Sequence, residues 1–298
     1  MADWIIGLAG TAEGARVASV LAIMAAFLHA VFGALQKGRH DPWTSRAAID
    51  IAIACLAGPA ALFLVPWPAP GLWPVLFGAM VIHIGYKLAQ AATYQRGAYT
   101  VVYPVVRGVA PLFAIIAATL IFGERYTLVQ WGGVAVLVGG IFGLAAWNWR
   151  RLTVGRETLA PALGYALLTG GFVALYTTYD AWGIRLAENP FTFLAWFFLL
   201  DSWFMPLIAW RKLAALPRSE VGPLARRALT GAVVAFASFG AIMLATRIDD
   251  VGRAAVLRET STVFAALVGW LILGEKVGPV RSALMAMIAA GAVIVEFG

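Results

Sequence analysis

The chain has 298 residues, of which 62% are hydrophobic and 12% charged, with a mean hydropathy of +0.84 and a net charge of +7. Soluble domains carry about 25% charged residues, so this composition excludes an ordinary water-soluble domain. The cations lie in short connectors between apolar runs rather than in a basic stripe interleaved with aromatics, which argues against nucleic-acid binding, and a single Cys55 excludes an intrachain disulfide framework or a cysteine metal site.

Residues 1–17 hold Asp3, Glu13 and one cation, Arg16. They lack the charged start and cleavage site of a secretory signal, so the first apolar run is expected to remain in the mature protein. Ten runs of about 20 residues follow, each long enough to cross about 30 Å of hydrocarbon at 1.5 Å per residue. They predict helices over 18–36, 47–66, 72–94, 99–122, 128–147, 160–183, 190–210, 228–247, 250–273 and 278–297. The longest connector, 211–227, is too short and too charged to be a domain of its own.

The first helix carries His29. On the third, His83, Tyr86, Lys87, Gln90 and Tyr94 share a stripe about 100° wide. An ionisable group at membrane depth costs roughly 2.5 kcal/mol or more and faces a wet interior or a partner, so the stripe predicts a cavity wall. The fourth helix adds Tyr99, Tyr103 and Arg107, with Pro104 and Pro111 each removing a backbone hydrogen bond. Irregular backbone at this depth is tolerated where protein or a water-filled cavity satisfies it. Glu124 and Glu275 stand at helix ends beside a cation and read as solvated turns, and Gly139 and Gly143 have the GxxxG spacing of close helix packing.

The sixth helix places Tyr165, Thr169, Phe172, Tyr176 and Asp180 on one face, with Tyr179 beside them, and the seventh contributes Trp196 and Trp203. An aromatic stripe of this kind often serves packing or the interface belt. Joined to the third and fourth helices, it predicts a hydroxyl-rich aromatic lining suited to a planar, amphipathic solute. Asp180 is the only good candidate for an intramembrane carboxylate in the cavity, and His29, His83 and Asp180 are candidate proton carriers.

An internal repeat joins the halves. Residues 104–143 lie over 255–294 without a gap, at an offset of 151: Arg107 falls on Arg258, Phe113 on Phe264, Gly123-Glu124 on Gly274-Glu275 and Gly140 on Gly291. The expected units are residues 1–149 and 150–298. With five helices each, the second copy enters the membrane from the opposite side, so the repeats are inverted, as in many secondary transporters. The two arginines read either as a structural interhelical pair, with Glu259 satisfying Arg258, or as a bidentate site for a substrate carboxylate. The connectors after helices 1, 3, 5, 7 and 9 hold fourteen cations and the opposite face five, which predicts both termini outside.

The paired glycine-glutamate-cation turns, each followed by a small-residue-rich run ending in Gly140 or Gly291, resemble the drug/metabolite transporter superfamily, and more narrowly the ten-helix branch built from two EamA-type repeats. The resemblance implies an all-α integral membrane fold, ten transmembrane helices as two inverted five-helix repeats around a central cavity, in a bacterial inner membrane. It is similar to the branch that exports aromatic amino acids. Two departures stand out: Thr262 replaces the proline that Pro111 keeps in the first half, and the first helix lacks the glutamate that small multidrug relatives use.

No GxxxxGK[ST], HExxH, CxxC or GxSxG occurs, so no nucleotide-driven pump or common hydrolase is expected, and neither is a catalytic residue, metal or cofactor. The expected function is secondary transport of small organic solutes, foremost export of amino acids with aromatic or large apolar side chains, through substrate-binding residues His83, Tyr86, Tyr103, Tyr99, Lys87, Tyr176 and Trp203. The alternative is export of drugs or cationic metabolites. The partners are then the solute and the lipid bilayer, with no nucleic acid, and the unit is expected to be a monomer.

Overall fold

The computed structural model describes residues 1–36, 40–97, 99–151, 159–273 and 278–298. Lys37, Arg39 and Arg156, counted above for orientation, and Gly274, Glu275 and Lys276 of the second glycine-glutamate turn lie outside the described residues.

Among the described residues the chain is helical, with no strand. A short α1 (Ala2–Leu8) precedes the first span, α2 (Ala12–Gln36). The second span is α3 (Pro42–Pro59), prolonged by a π-helical turn over Ala60–Leu64, and α4 (Trp73–Arg96), α5 (Tyr99–Phe122) and α6 (Leu128–Arg150) complete the first half. The second half begins with α7 (Leu159–Leu186). Its next span is broken into α8 (Pro190–Asp201) and α9 (Phe204–Ala214), and α10 (Arg218–Ile248) follows. The ninth span is broken into α11 (Val251–Arg258) and α12 (Ser261–Leu273), and the tenth is α13 (Pro279–Phe297). Nine segments of the described residues are long and apolar enough to cross a membrane, and α11 with α12 supplies a further crossing. Largely exposed apolar side chains such as Leu120, Leu128 and Phe63 fit a surface solvated by lipid.

Local chemistry sets the ends. Asp41 accepts the Thr44 N–H at 3.0 Å to start α3, and Thr127 and Gln130 form a reciprocal capping box on α6. One boundary differs from expectation: α10 starts at Arg218, so most of the 211–227 connector is helix and only residues 215–217 join α9 to α10. Charge there marks the end of the apolar stretch, not of the helix. Arg227, on the extended turn, donates to the Leu35 carbonyl at 2.7 Å.

Equivalent helices of the two halves pack antiparallel. Between α5 and the ninth span, Ile115 lies against Gly252 while Arg107 reaches Ser261 at 2.9 Å. Between α6 and α13, Gly133 faces Ile294, Gly140 faces Ile288 and Asn148 accepts from Arg281 at 3.1 Å. Between the second and seventh spans, Asp41 pairs with Lys212 at 3.0 Å and Pro66 accepts from Thr192 at 3.0 Å. In every pair, residue numbers rise on one helix as they fall on the other. The other contacts come as images: α2 packs on α10 as α7 packs on α4, and α5 on α7 as the ninth span packs on α2. This is the pairing that a two-fold axis in the membrane plane produces.

Close approach of α6 and α13 depends on glycine, including one of the predicted pair, Gly143, but not the other. Gly139 faces open space; Gly133, Gly140, Gly143 and Gly291 make the contact. A Cβ on Gly291 would stand 2.5 Å from the Leu137 nitrogen and 2.6 Å from the Gly133 carbonyl, both backbone atoms that cannot swing aside. Gly291→Ala should therefore destabilise the protein by about 1–3 kcal/mol, the usual cost of overpacking. Gly139→Ala should change stability by no more than about 1 kcal/mol and in the favourable direction, since alanine is the better helix former. Thermal unfolding of the two variants in detergent measures the contrast.

Candidate functional site

On α4, His83 and Lys87 stand one turn apart, yet they enter different networks. The Lys87 ammonium lies 3.0 Å from the Asp201 carboxylate and 3.4 Å from that of Asp50, and it donates to the Asp201 carbonyl at 2.9 Å. That carbonyl is free because α8 ends at Asp201, leaving its last acceptors without helical donors. Asp50 also accepts from Arg46 at 2.9 Å. Two cations and two carboxylates thus balance where α3, α4 and α8 meet. Asp50 and Asp201 are separated by 151 residues, the same step as between 104–143 and 255–294.

His83 instead faces α7, its Nε2 lying 2.8 Å from Asp180 Oδ2. Its ring is 4.5 Å from that of Tyr176, 4.9 Å from Phe197 and 5.5 Å from Phe239, and the Tyr86 ring is 5.1 Å from Tyr176. Of the seven sequence-predicted residues, His83, Tyr86 and Tyr176 therefore form one aromatic cluster. Tyr103 lies nearby on α5, one turn before Arg107, in hydrogen-bonding contact with Ser261. Lys87 is buried beyond the cluster in its ion pairs. Trp203 is 57% exposed in the break between α8 and α9, and the structure does not bring it to the others. The Tyr99 side chain lies outside the described residues. Further along the same α7 face, Thr169 bonds Thr93 at 2.8 Å, and Tyr165 lies beneath the Arg96 guanidinium at 4.6 Å.

The repeat-related arginines meet where α5 crosses the ninth span. Arg107 Nε lies 2.8 Å from Glu259 Oε2, and its Nη2 donates to Ser261 at 2.9 Å and to the Arg258 carbonyl at 3.4 Å. Glu259 was expected to satisfy Arg258; it pairs with Arg107. Arg258 donates to the Tyr176 hydroxyl at 2.8 Å, and among the described residues no carboxylate pairs with it. Both guanidiniums are buried.

Two cavities border Arg258, each of about 10 Å³, room for about one water. One lies against Pro111, Ala255 and Glu259, the other against Tyr176, Asp180, Phe239 and Met243. Asp180 Oδ1, on the second cavity, is buried without a hydrogen-bond partner among the described residues. Such an atom costs of order 1–3 kcal/mol.

Glu124 corrects another expectation. It is buried, not solvated: its two oxygens accept the Val251 and Gly252 N–H groups at 2.8 and 3.1 Å, and the Tyr126 hydroxyl bonds it as well. A turn of the first half thereby caps the N-terminus of α11 in the second, where a negative charge is favoured. Burial, and the nearby Glu124, raise the Asp250 carboxyl above its ordinary range.

Asp50, Asp201, Phe197 and Phe239 escaped the sequence reading. Asp180 is one of several buried carboxylates, with Asp50, paired to Arg46, and Glu259, paired to Arg107, also in the interior. The Arg46–Asp50 spacing of four residues, and the 151-residue step to Asp201, were the available signals. Phe197 and Phe239 gave none, being phenylalanines in apolar runs.

Comparison with known proteins follows the same lines. The family model described as EamA-like transporter family matches residues 16–146 and again residues 160–297. A solved structure described as "Crystal structure of protein" superimposes with a TM-score of 0.75 at 17% identity, over 94% of this chain and 98% of that one, and so shares the fold. Curated proteins give no match.

Lys87→Met should lower stability by about 3–5 kcal/mol, because it leaves Asp50 and Asp201 facing one another without their shared cation. Adding Asp201→Asn to Lys87→Met should recover part of the loss. Thermal unfolding of the single and double variants reads this coupling, and equal losses in both would show that Lys87 contributes through packing alone.

Proposed function

The chain belongs to the EamA-like transporter family, and we propose that within it this protein exports amino acids with an aromatic or large apolar side chain by alternating access. It is a multi-pass membrane transporter of solutes, not an enzyme. The observation that carries the finer reading is the neighbourhood of Tyr176. Its hydroxyl is bonded by Arg258, and its ring lies among His83, Tyr86 and Phe239. A guanidinium that suits a carboxylate stands beside aromatic faces that suit a planar or large apolar side chain. These groups converge at the interface between the repeats, where transporters of this architecture hold their solutes.

A second reading, export of cationic metabolites, draws on the buried carboxylate of Asp180. Arg258 on the same cavity weighs against it, because a lone cation would meet a buried like charge. Counter-flow in proteoliposomes separates the two. Acceleration of labelled phenylalanine, tryptophan or leucine supports amino-acid export; acceleration of aromatic amines alone supports the second reading.

If the aromatic cluster contacts solute, Tyr86→Ala and Tyr103→Ala should slow counter-flow while the melting temperature changes little. A packing role would instead cost about 3–5 kcal/mol of stability with transport intact. The cellular setting we propose is a bacterial inner membrane with both termini outward. A cysteine placed at Gly298 in a Cys55→Ser background should then react with an impermeant thiol reagent in intact cells. Labelling only after permeabilisation would reverse the orientation.

A further inference from the structure

We infer that Asp180 and Arg258 are the two opposed anchors of a zwitterion site, Arg258 taking the α-carboxylate and Asp180 the α-ammonium of a free amino acid. The inference rests on the amino-acid reading above and adds to it which ends of the solute are recognised, and by which residues.

Three observations carry it. Asp180 and Arg258 line one cavity, between α7, α10 and α11, with Tyr176 and Phe239 in its wall. Asp180 is fixed on one side only: Oδ2 meets His83 at 2.8 Å, while Oδ1 is buried with no partner among the described residues. The two repeat-related arginines are also unequal. Arg107 has a carboxylate, Glu259, at 2.8 Å, whereas Arg258 is oriented by the Tyr176 hydroxyl and pairs with no carboxylate among the described residues. A buried guanidinium with no carboxylate at ion-pair distance among the described residues, and a buried carboxylate oxygen with no hydrogen-bond partner among them, are arranged to receive opposite charges. A free amino acid carries both on one carbon, and its carboxylate can take two parallel N–H bonds from the guanidinium fork. The Tyr176 and Phe239 rings, 5.9 Å apart, stand beside these anchors for the side chain. At about 10 Å³ the cavity is far smaller than an amino acid, so binding requires α10, which carries Phe239 and Met243, to move from α7.

The test is competition against labelled phenylalanine in proteoliposome counter-flow, using analogues that each lack one charge. N-acetylphenylalanine lacks the ammonium; phenylalaninamide lacks the carboxylate. With the unaltered protein each should compete at least about tenfold less well than phenylalanine, the equivalent of one charge-assisted hydrogen bond. Asp180→Asn, which keeps an acceptor for His83, should abolish the discrimination against N-acetylphenylalanine and leave that against the amide. Arg258→Gln should do the reverse. A structural role for either residue would lower the melting temperature and scale all competitors equally. If Arg258→Gln does not fold, Arg258→Lys decides: loss of the fork should weaken phenylalanine relative to its amide. Folded variants that retain the unaltered ranking of competitors overturn the anchors while amino-acid transport stands. Absence of counter-flow for every amino acid overturns the reading on which they rest, and the anchors with it.

Discussion

The contact between Arg107 and Glu259 is the point on which the two halves turn. It joins the fourth span of one repeat to the fourth span of the other, at the crossing of α5 with the broken ninth helix. Neither charge could stay at that depth alone, since removing one partner of a buried pair costs about 3–5 kcal/mol. Arg107 also reaches Ser261 and the Arg258 carbonyl, on either side of the break. One side chain therefore both neutralises a carboxylate and satisfies backbone that the interrupted helix releases. In hydrocarbon no water can substitute for it.

The same logic recurs at the other interrupted span. Where α8 stops, Lys87 accepts the task, taking the Asp201 carbonyl and carboxylate together while sharing Asp50. Both breaks fall in the second half; their counterparts α3 and α5 carry prolines but run through, with a π-helical turn after Pro59 in α3. The repeats are thus alike in packing and unlike in continuity. Under the proposed alternating access, a two-fold pairing of helices would supply two equivalent arrangements for the bundle, and the unequal breaks would supply the joints between them.

Much of this was legible in the sequence because the hydrocarbon imposes a simple rule on length. Runs of about 20 apolar residues gave the spans, and the Arg107–Arg258 register gave the repeat and, by parity, its inversion. The choice of partner was harder to read. Helical periodicity puts His83 and Lys87 on one stripe about 100° wide, but two neighbouring helices can face a stripe that broad, and each residue found a different one. Glu124 looked solvated because its neighbours in sequence are a glycine and a cation, whereas its partners are N–H groups over a hundred residues away. Trp203 was placed by a seven-residue spacing from Trp196 that assumed an unbroken helix; the interruption after Asp201 breaks that phase. In the same way, charge in 211–227 suggested a connector, while the backbone there continues as helix in α9 and α10.

Depth explains why the centre is closed. Lys87 lies nine residues before the end of α4 and Asp50 eight after the start of α3, each about 13 Å from the same side of the bundle, the one shared by the connectors after the first and third spans. Glu124 occupies the connector after the fourth span, which parity puts at the opposite side. The ion pairs of Lys87 therefore draw α3, α4 and α8 together toward one end, and the Glu124 cap draws α11 to the turn before α6 at the other. With both fastened, the cavities at Arg258 hold about one water each. Under the proposed export of an amino acid, a solute far larger than water, the release of one fastening at a time is the geometric condition for it to reach Tyr176 from one side without opening a path to the other.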